Sequence, residues 1–151
     1  MTSIDSQDKA ILNLIQIDAT LSVGDIADKV NISKSACWRR LQKLEKEGVI
    51  LQRVALLDQN KIDLPLTAYI SVCTNQHNED WIQELQRVTE SIPAVLEVYR
   101  MSGDLDYLIK AVMKDMPDYD RLYKKLIKAN FSDVSCSFVM ETVKKTTSLP
   151  L

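Results

Sequence analysis

Apolar residues recur at the spacing of an amphipathic helix three times in the first third of the chain. The segment VGDIADKV, which follows Ser22, predicts a short helix, and a third helix is predicted from about Lys34 to Glu47, ending at Gly48. Between them the turn Asn31–Ile32–Ser33 breaks the pattern and supplies Ser33 as an N-cap. Before them, DKAILNLIQIDA predicts a first helix, capped by Asp5 or Ser6, with the apolar set Ile11, Leu12, Leu14, Ile15 and Ile17.

Two short helices joined by a tight turn, with another helix beside them, are typical of a helix-turn-helix unit. At about 100° per residue, the third helix places Cys37, Leu41 and Leu44 on one side, with Arg40 at the edge of that side. The opposite side is basic and polar, as a helix in the major groove requires for contacts to phosphates and bases. The candidate DNA contacts are therefore Ser33, Lys34, Ser35, Trp38, Arg39, Arg40, Gln42 and Lys43.

A solvated basic face is the alternative interpretation of the third helix, because basic helix faces are common. For Trp38 the sequence allows two roles: a half-buried packing residue or a contact to the sugar-phosphate backbone of DNA. Arg40, at the edge, is better placed to hold the fold together or to touch a phosphate than to read a base.

The remaining two thirds alternate between strand and helix patterns. VILQRVALLD is extended, as a strand or a linker, and the turn residues of NKIDLP mark a boundary. We therefore expect a helix-turn-helix domain at residues 1–50, an extended linker at 51–64 and a second domain at 65–151. Strands are predicted in LTAYISVCT, AVLEVYRM, LDYLIKAVM and DVSCSFVMETV, and helices in DWIQELQRVTESI and DYDRLYKKLIKA.

This order is a repeated β-α-β unit, which predicts an α+β fold with a ferredoxin-like βαββαβ domain: a four-stranded antiparallel sheet with both helices on one face. The other face needs a cover and carries alternate residues such as Tyr69 or Cys73 and Val98 or Tyr99. In a domain of this size a second copy of the protein is the usual cover. We therefore expect a homodimer, which would present two recognition helices to two half-sites.

The overall charge argues against a nucleic-acid partner, because the net charge is -2 and the pI is about 5.4. The distribution of charge reverses that argument. Up to Val30 there are two lysines against five aspartates, whereas Lys34 to Arg53 holds six basic residues against two glutamates. Positive charge is thus concentrated on the predicted recognition helix.

The three cysteines, Cys37, Cys73 and Cys136, are far apart and suggest neither a zinc site nor a disulfide framework. The start, MTSIDSQDKA, lacks the pattern of a signal peptide, and no segment reaches the ~18 apolar residues of a membrane span. We expect a cytoplasmic protein with no membrane association, no metal and no cofactor.

No catalytic motif is found, so we do not expect an enzyme. His77 stands alone in TNQHNED and is interpreted as a solvated loop residue. In MSGDLDYLIK, Asp104 and Asp106 have no other titratable partner nearby in sequence. The residues themselves favour a plain hairpin turn there, although Gly103 and the two carboxylates could also meet the amine of a ligand.

Almost end to end, the chain resembles the Lrp/AsnC family, the feast/famine regulators of bacteria and archaea. The resemblance is carried by DKAILNLI, LSVGDIADKVNISKSACWRRLQKLEKEGVI, VALLDQNKIDL, SGDLDYLIK and SFVMETVKKTTSLPL. It implies a transcription factor with a winged-type helix-turn-helix that binds double-stranded operator DNA, and an ACT-like RAM domain that dimerises through its sheet. WRRLQKLE and TTSLPL look closest to the proteobacterial branch with the cysteine-responsive DecR-type regulators.

In this family dimers assemble further, commonly into octamers of four dimers, and small effectors, usually amino acids, bind between dimers near a G-D-x-D-Y loop. The resemblance implies that the loop's carboxylates take the ligand's ammonium group and its backbone N–H groups take the carboxylate. We therefore expect a DNA-binding regulator modulated by an amino acid; the alternative is a small-molecule-binding module that acts on a partner protein. The implied effector contacts are Met101, Ser102, Gly103, Asp104 and Asp106, with Tyr99 and Arg100 as weaker candidates.

Overall fold

The computed structural model describes residues 3–76 and 78–151 and divides into two compact units. The first runs to Leu56 and includes the C-terminal segment Val143–Leu151, and the second spans Leu57–Thr142. The C-terminal segment Val143–Leu151 thus belongs to the helical unit, whereas we expected it to be part of the second domain, at residues 65–151. His77, interpreted above as a solvated loop residue, lies outside the described residues.

Three helices build the first unit: α1 (Ser6–Ile15), α2 (Val23–Lys29) and α3 (Lys34–Lys46). Their starts are capped by side chains, because Asp5, Ser22 and Ser33 each accept a hydrogen bond from a backbone N–H in the first turn. The predicted cap at Ser33 is confirmed, and of the two alternatives for α1 the cap is Asp5. The cap at Ser22 was not predicted from the sequence.

The turn between α2 and α3 uses a left-handed residue, Asn31, with φ +54°. Gly48 ends α3 with φ +70°, as its position in the sequence predicted. The prediction was wrong for Ile17: α1 stops before it, and its side chain is 80% exposed. The core of this unit is formed by Ile11, Ile26, Ala27, Cys37 and Leu41.

The segment 51–58 contains no strand, so the linker alternative holds for VILQRVALLD. A short 3-10 turn at Gln59–Ile62 follows, and Asp63, with φ +59°, leads the chain into the sheet. No helix among the described residues is long and apolar enough to cross a membrane.

The second unit has the predicted βαββαβ order. Its four-stranded antiparallel sheet has the strand order β2-β3-β1-β4. The elements are β1 (Leu66–Cys73), α4 (Glu79–Glu90), β2 (Val95–Arg100), β3 (Tyr107–Met113), α5 (Met116–Leu126) and β4 (Asp133–Phe138). The fold class predicted from the sequence is confirmed. The last strand ends at Phe138 and is therefore shorter than the predicted strand DVSCSFVMETV, and Met140, which the predicted strand included, is 94% exposed.

The core of the second unit lies between the sheet and its helices. Ala68, Ile70 and Val72 alternate along β1 and are each fully buried. Trp81 of α4 donates from Nε1 to the carbonyl oxygen of Ala129 at 2.8 Å, so its polar atom is satisfied inside the core.

The outer sheet face carries Tyr69 and Tyr99, which share a side with Lys110 and Leu108, their register partners on β3. Val98 pairs with the fully buried Ile109 and therefore projects to the opposite face of the sheet, the face that carries the helices, where it is still 38% exposed. Of the two alternatives on β2, Tyr99 is thus the outer-face residue.

Candidate DNA interface and effector loop

One face of α3 is exposed and basic, and the other is buried. Cys37, Leu41 and Leu44 are at most 2% exposed, so the predicted inner side packs against the helical core. Trp38 is 54% exposed, which makes it a surface aromatic rather than a core residue. The predicted outer face is open to solvent at Ser35, Trp38, Arg39, Gln42, Lys43 and Lys46.

At the start of α3, the side chains of Ser33 and Lys34 make contacts within the helical unit. Ser33 Oγ accepts from the Ala36 N–H at 3.2 Å and lies 3.1 Å from Ser35 Oγ. The stem of Lys34 lies along α2, because a Cβ built on Gly24 would come 3.1 Å from Lys34 Cε. The sequence did not single out Gly24, since only the packing of α2 against α3 gives it this role.

Arg40 connects α3 to the start of α1. Its Nη1 donates to Asp8 Oδ1 at 2.7 Å and to Asp5 Oδ2 at 2.7 Å. Asp8, and next Asp5, raise the pKa of the Arg40 guanidinium by these hydrogen bonds. Asp8 is only 1% exposed, so this pair is an internal contact of the helical unit. The geometry favours the fold-holding role over the DNA contact for Arg40.

Glu45, a carboxylate at the margin of the basic face, is paired with two neighbouring side chains. Arg53 Nη2 lies 3.0 Å from Glu45 Oε1, and Gln42 Nε2 donates to Glu45 Oε2 at 3.2 Å. Because Glu45 is paired, its repulsion toward a phosphate is reduced. The amide of Gln42 is turned toward Glu45, so reading a base would require it to exchange this bond.

The loop between β2 and β3 is closed at its base by backbone hydrogen bonds. The Met101 N–H donates to Asp106 O at 2.8 Å, and the Asp106 N–H donates to Val72 O at 3.0 Å. The carboxylate of Asp106 accepts from the Thr74 N–H at 2.8 Å. Asp106 therefore fastens the loop to the end of β1. One oxygen of this carboxylate, which the sequence predicted to contact a ligand, is already used in a structural hydrogen bond.

The tip of the loop leaves polar groups free. Among the described residues, the backbone N–H groups of Ser102, Gly103 and Asp104 find no acceptor, and the Asp104 carboxylate, which is exposed, finds no donor. Gly103 has φ +121°, a conformation that side-chain-bearing residues rarely adopt. A free carboxylate beside free N–H groups can bind an ammonium group and a carboxylate together.

Residues around the loop differ in availability. Met101 is 40% exposed, and Arg100 is exposed beside it. The Tyr99 hydroxyl donates to Glu97 Oε2 at 2.5 Å, so it is already engaged on the outer sheet face. The thiol of Cys73 donates to the Asp104 carbonyl oxygen at 3.6 Å. The sequence did not predict Cys73 as a neighbour of this loop, because Cys73 and Asp104 are 31 positions apart in the chain.

An exposed basic helix in a helix-turn-helix unit, joined to a βαββαβ unit with an open polar loop, defines a DNA-binding regulator with a ligand-binding domain. Comparison with known families agrees. Residues 4–50 match the winged helix-turn-helix DNA-binding family, and residues 67–149 match the Lrp/AsnC ligand binding domain. The chain belongs to the Lrp/AsnC family, whose members are transcriptional regulators and not enzymes.

Full-length relatives support this assignment. The DNA-binding transcriptional activator DecR of Escherichia coli K12 is 42% identical over 150 residues, covering 98% of this chain and 99% of DecR. The crystal structure of an AsnC family transcriptional regulator from Agrobacterium tumefaciens matches with a TM-score of 0.91 and 46% identity, covering 97% of this chain and 96% of that one. A Neisseria meningitidis transcriptional regulator solved in complex with L-methionine has a TM-score of 0.91 and 31% identity, covering 98% and 97%.

Proposed function

We propose that this regulator binds operator DNA through the exposed face of α3 and that an amino acid, bound at the loop of residues 101–106, modulates this binding. The observation that carries the proposal is the combination of free groups at the loop tip: the Asp104 carboxylate and three neighbouring backbone N–H groups. These groups match the two charged ends of an amino acid.

On the DNA side, Arg39 and Lys43 are the exposed cations at the middle of the face, and they suit guanine edges and phosphates. Trp38, being exposed beside them, suits a contact to the sugar-phosphate backbone. Ser33, Lys34 and Ser35 lie at the start of α3, where a recognition helix approaches DNA with its N-terminal residues. Gln42 would read a base only after leaving Glu45.

On the effector side, the L-methionine complex of the Neisseria relative supports an amino acid as the ligand class. Asp104 would receive the ammonium group, and the N–H groups of Ser102 and Gly103 would bind the carboxylate. Met101 and Tyr99, which are 40% and 48% exposed, would contact the side chain of the ligand. Asp106 would act chiefly by holding the loop against β1.

For assembly, we infer a homodimer through the outer sheet face, and octamers of four dimers as the family resemblance implies. The charges on this face are already matched, because Lys110 Nζ lies 2.8 Å from Glu97 Oε1. Tyr69 and Tyr99, which are 37% and 48% exposed, add aromatic surface that a second copy could bury. Two copies would bring two recognition helices to a palindromic operator in the cytoplasm.

The effector would act through its different affinity for two assemblies. A ligand shifts an equilibrium only to the extent that it binds one state more tightly than the other. If the loop lies between dimers, a bound amino acid changes how the dimers pack, and the spacing of the recognition helices changes with it.

Fluorescence anisotropy of labelled DNA from upstream of the protein's own gene tests this proposal. The protein is titrated at two salt concentrations, with and without each amino acid, against random DNA of equal length. We expect affinity to fall steeply with added salt, because phosphate contacts release counterions, and one or a few amino acids to shift it. Binding no tighter than to random DNA on any promoter fragment would instead favour a module that acts on a partner protein.

A further inference from the structure

An open pocket lies in the sheet unit, between α5 and the start of β2. Its volume is about 670 Å³, which is within the usual range for small-molecule sites. It is formed by the start of β2 and the end of β3, whereas the effector loop joins the other ends of these strands. With a rise of about 3.3 Å per residue along β3, the pocket and the loop are roughly 20 Å apart.

One wall of the pocket is apolar. It includes Leu96, which is 52% exposed although it is a large aliphatic residue. Leu96 is the extra residue of a β-bulge, because Val95 pairs with Ala111 and Glu97 pairs with its neighbour Lys110. Bulges redirect a side chain out of the regular alternation and are frequent beside functional sites. Pro93, Ala94 and Val112 continue this wall.

The other wall is cationic. Arg121, Lys124, Lys125 and Lys128 line it with the spacing i, i+3, i+4, i+7, which places them along one side of α5 and the short turn after it. Lys124 is paired with Asp120 at 2.5 Å. Lys125 and Lys128 make no ion pair within the part of the chain that the structure describes, so their charges are available to an anion.

Among the described residues that line it, the pocket offers no free carboxylate. The one acidic residue in this lining is Asp118, whose two oxygens accept from the Arg121 guanidinium and, at 3.2 Å, from the Lys114 N–H. A zwitterionic amino acid would therefore bring its ammonium group to a cationic wall without a partner, which is unfavourable. This is the reverse of the effector loop, where Asp104 is free.

We propose that this pocket binds an aliphatic monocarboxylate that lacks an α-ammonium group. Its carboxylate lies against Lys125 and Lys128, and its hydrocarbon chain lies against Leu96 and the apolar wall. The site is separate from the amino-acid loop and does not depend on it.

Hexanoate is the probe, and norleucine and 1-hexanol are its controls: norleucine adds only the α-ammonium group, and hexanol keeps the hydrocarbon chain but replaces the carboxylate by an uncharged hydroxymethyl group. Saturation-transfer NMR and calorimetry are done on the full chain with the Asp104→Ala substitution, so that norleucine cannot bind at the effector loop. We expect hexanoate to bind at least tenfold more tightly than either control. Equal binding of norleucine, or no binding of hexanoate at millimolar concentration, overturns the proposal.

The location of the site is tested with two independent variants. Lys125→Gln with Lys128→Gln, and separately Leu96→Ser, are each expected to weaken hexanoate binding about tenfold or more. Lys144→Gln with Lys145→Gln, which removes two lysines that do not line the pocket, is expected to leave it unchanged. Circular dichroism verifies that each variant is folded. Unaltered hexanoate affinity in both pocket variants would contradict the assignment.

Discussion

Arg40 Nη1 lies 2.7 Å from the Oδ1 atom of Asp8, and this pair joins the recognition helix to α1 across 32 positions of sequence. Asp8 is 1% exposed, so its carboxylate depends on the guanidinium rather than on water. Because the neighbouring Arg39 points to solvent, two adjacent arginines have different tasks. Arg40 holds α3 against the start of α1, whereas Arg39 is exposed and is the residue proposed to contact DNA.

Replacement of Arg40 by alanine should destabilise the protein by roughly 2–3 kcal/mol, because a buried carboxylate loses its partner. Urea unfolding followed by circular dichroism measures this change. Arg39→Ala is the matched control and should alter the free energy of unfolding by less than about 0.5 kcal/mol, as is usual for exposed positions. If the two variants were equally stable, the Arg40 pair would not hold the unit together.

Stability should fall with acidification as Asp5 becomes protonated. The N–H of Asp8, and then the Arg40 side chain, lower the pKa of Asp5 below its ordinary value of 3.8. A lowered pKa in the folded state means that the stabilisation is complete above about pH 4 and is lost as the pH falls through the folded pKa. Unfolding midpoints measured from pH 6 down to pH 2 should decline less on the acid side in Asp5→Asn than in the wild type.

Replacement of Arg39 by alanine should weaken DNA binding by ~1–3 kcal/mol if the guanidinium contacts a base. Arg39→Lys distinguishes the two modes of contact. Lysine keeps most of the affinity if the contact is to a phosphate, but loses the bidentate geometry that reads guanine. Anisotropy titrations against operator and random DNA supply the comparison, and unchanged affinity in Arg39→Ala would remove this residue from the interface.

Asp104→Ala should abolish the response to the amino acid and leave DNA binding without effector intact. The Asp104 side chain is exposed and makes no hydrogen bond within residues 3–76 and 78–151, so its loss should not disturb the fold. Asp104→Asn keeps the shape and removes the charge, and it should respond at least tenfold more weakly to effector. A variant that still responds at wild-type effector concentrations would contradict the loop assignment.

Gly103→Ala should reduce both loop stability and effector affinity through backbone strain. Its φ of +121° costs about 1–3 kcal/mol for a residue with a side chain, whereas an added Cβ meets nothing within 4 Å. Steric crowding is therefore not the cause of the expected effect. Hydrogen exchange of the loop amides and effector titration measure it, with Ser102→Ala as the control. Equal behaviour of the two variants would show that the glycine conformation is not needed.

Most of the fold could be predicted because its signals are local. The burial of Cys37, Leu41 and Leu44 follows from helical spacing, and that of Ala68, Ile70 and Val72 follows from strand alternation. Caps at Ser33 and Gly48 also depend on neighbouring residues alone. Errors occurred at element ends, at Ile17 and Met140, where the pattern continues but the backbone hydrogen bonds stop.

The sites were only partly predictable. The exposed face of α3 could be predicted from periodicity. The proposed effector loop was located only by the resemblance of SGDLDYLIK to the loop pattern of the family. The partners of these residues could not be predicted. Asp8 for Arg40 and Thr74 for Asp106 each lie 32 positions away, and a one-dimensional pattern carries no information on such distances.

Local periodicity thus established two structural units, one of which presents a basic helix, because apolar spacing and capping act within a few residues. Long-range packing assigned the tasks inside those units. Arg40 is paired with Asp8, whereas Arg39 is exposed. Asp106 is hydrogen-bonded to the end of β1, whereas the Asp104 carboxylate has no partner among the described residues. The Leu96 bulge and α5 together form a pocket with an apolar and a cationic wall. These outcomes depend on which distant groups meet, and a polar group becomes structural or available according to whether such a partner satisfies it.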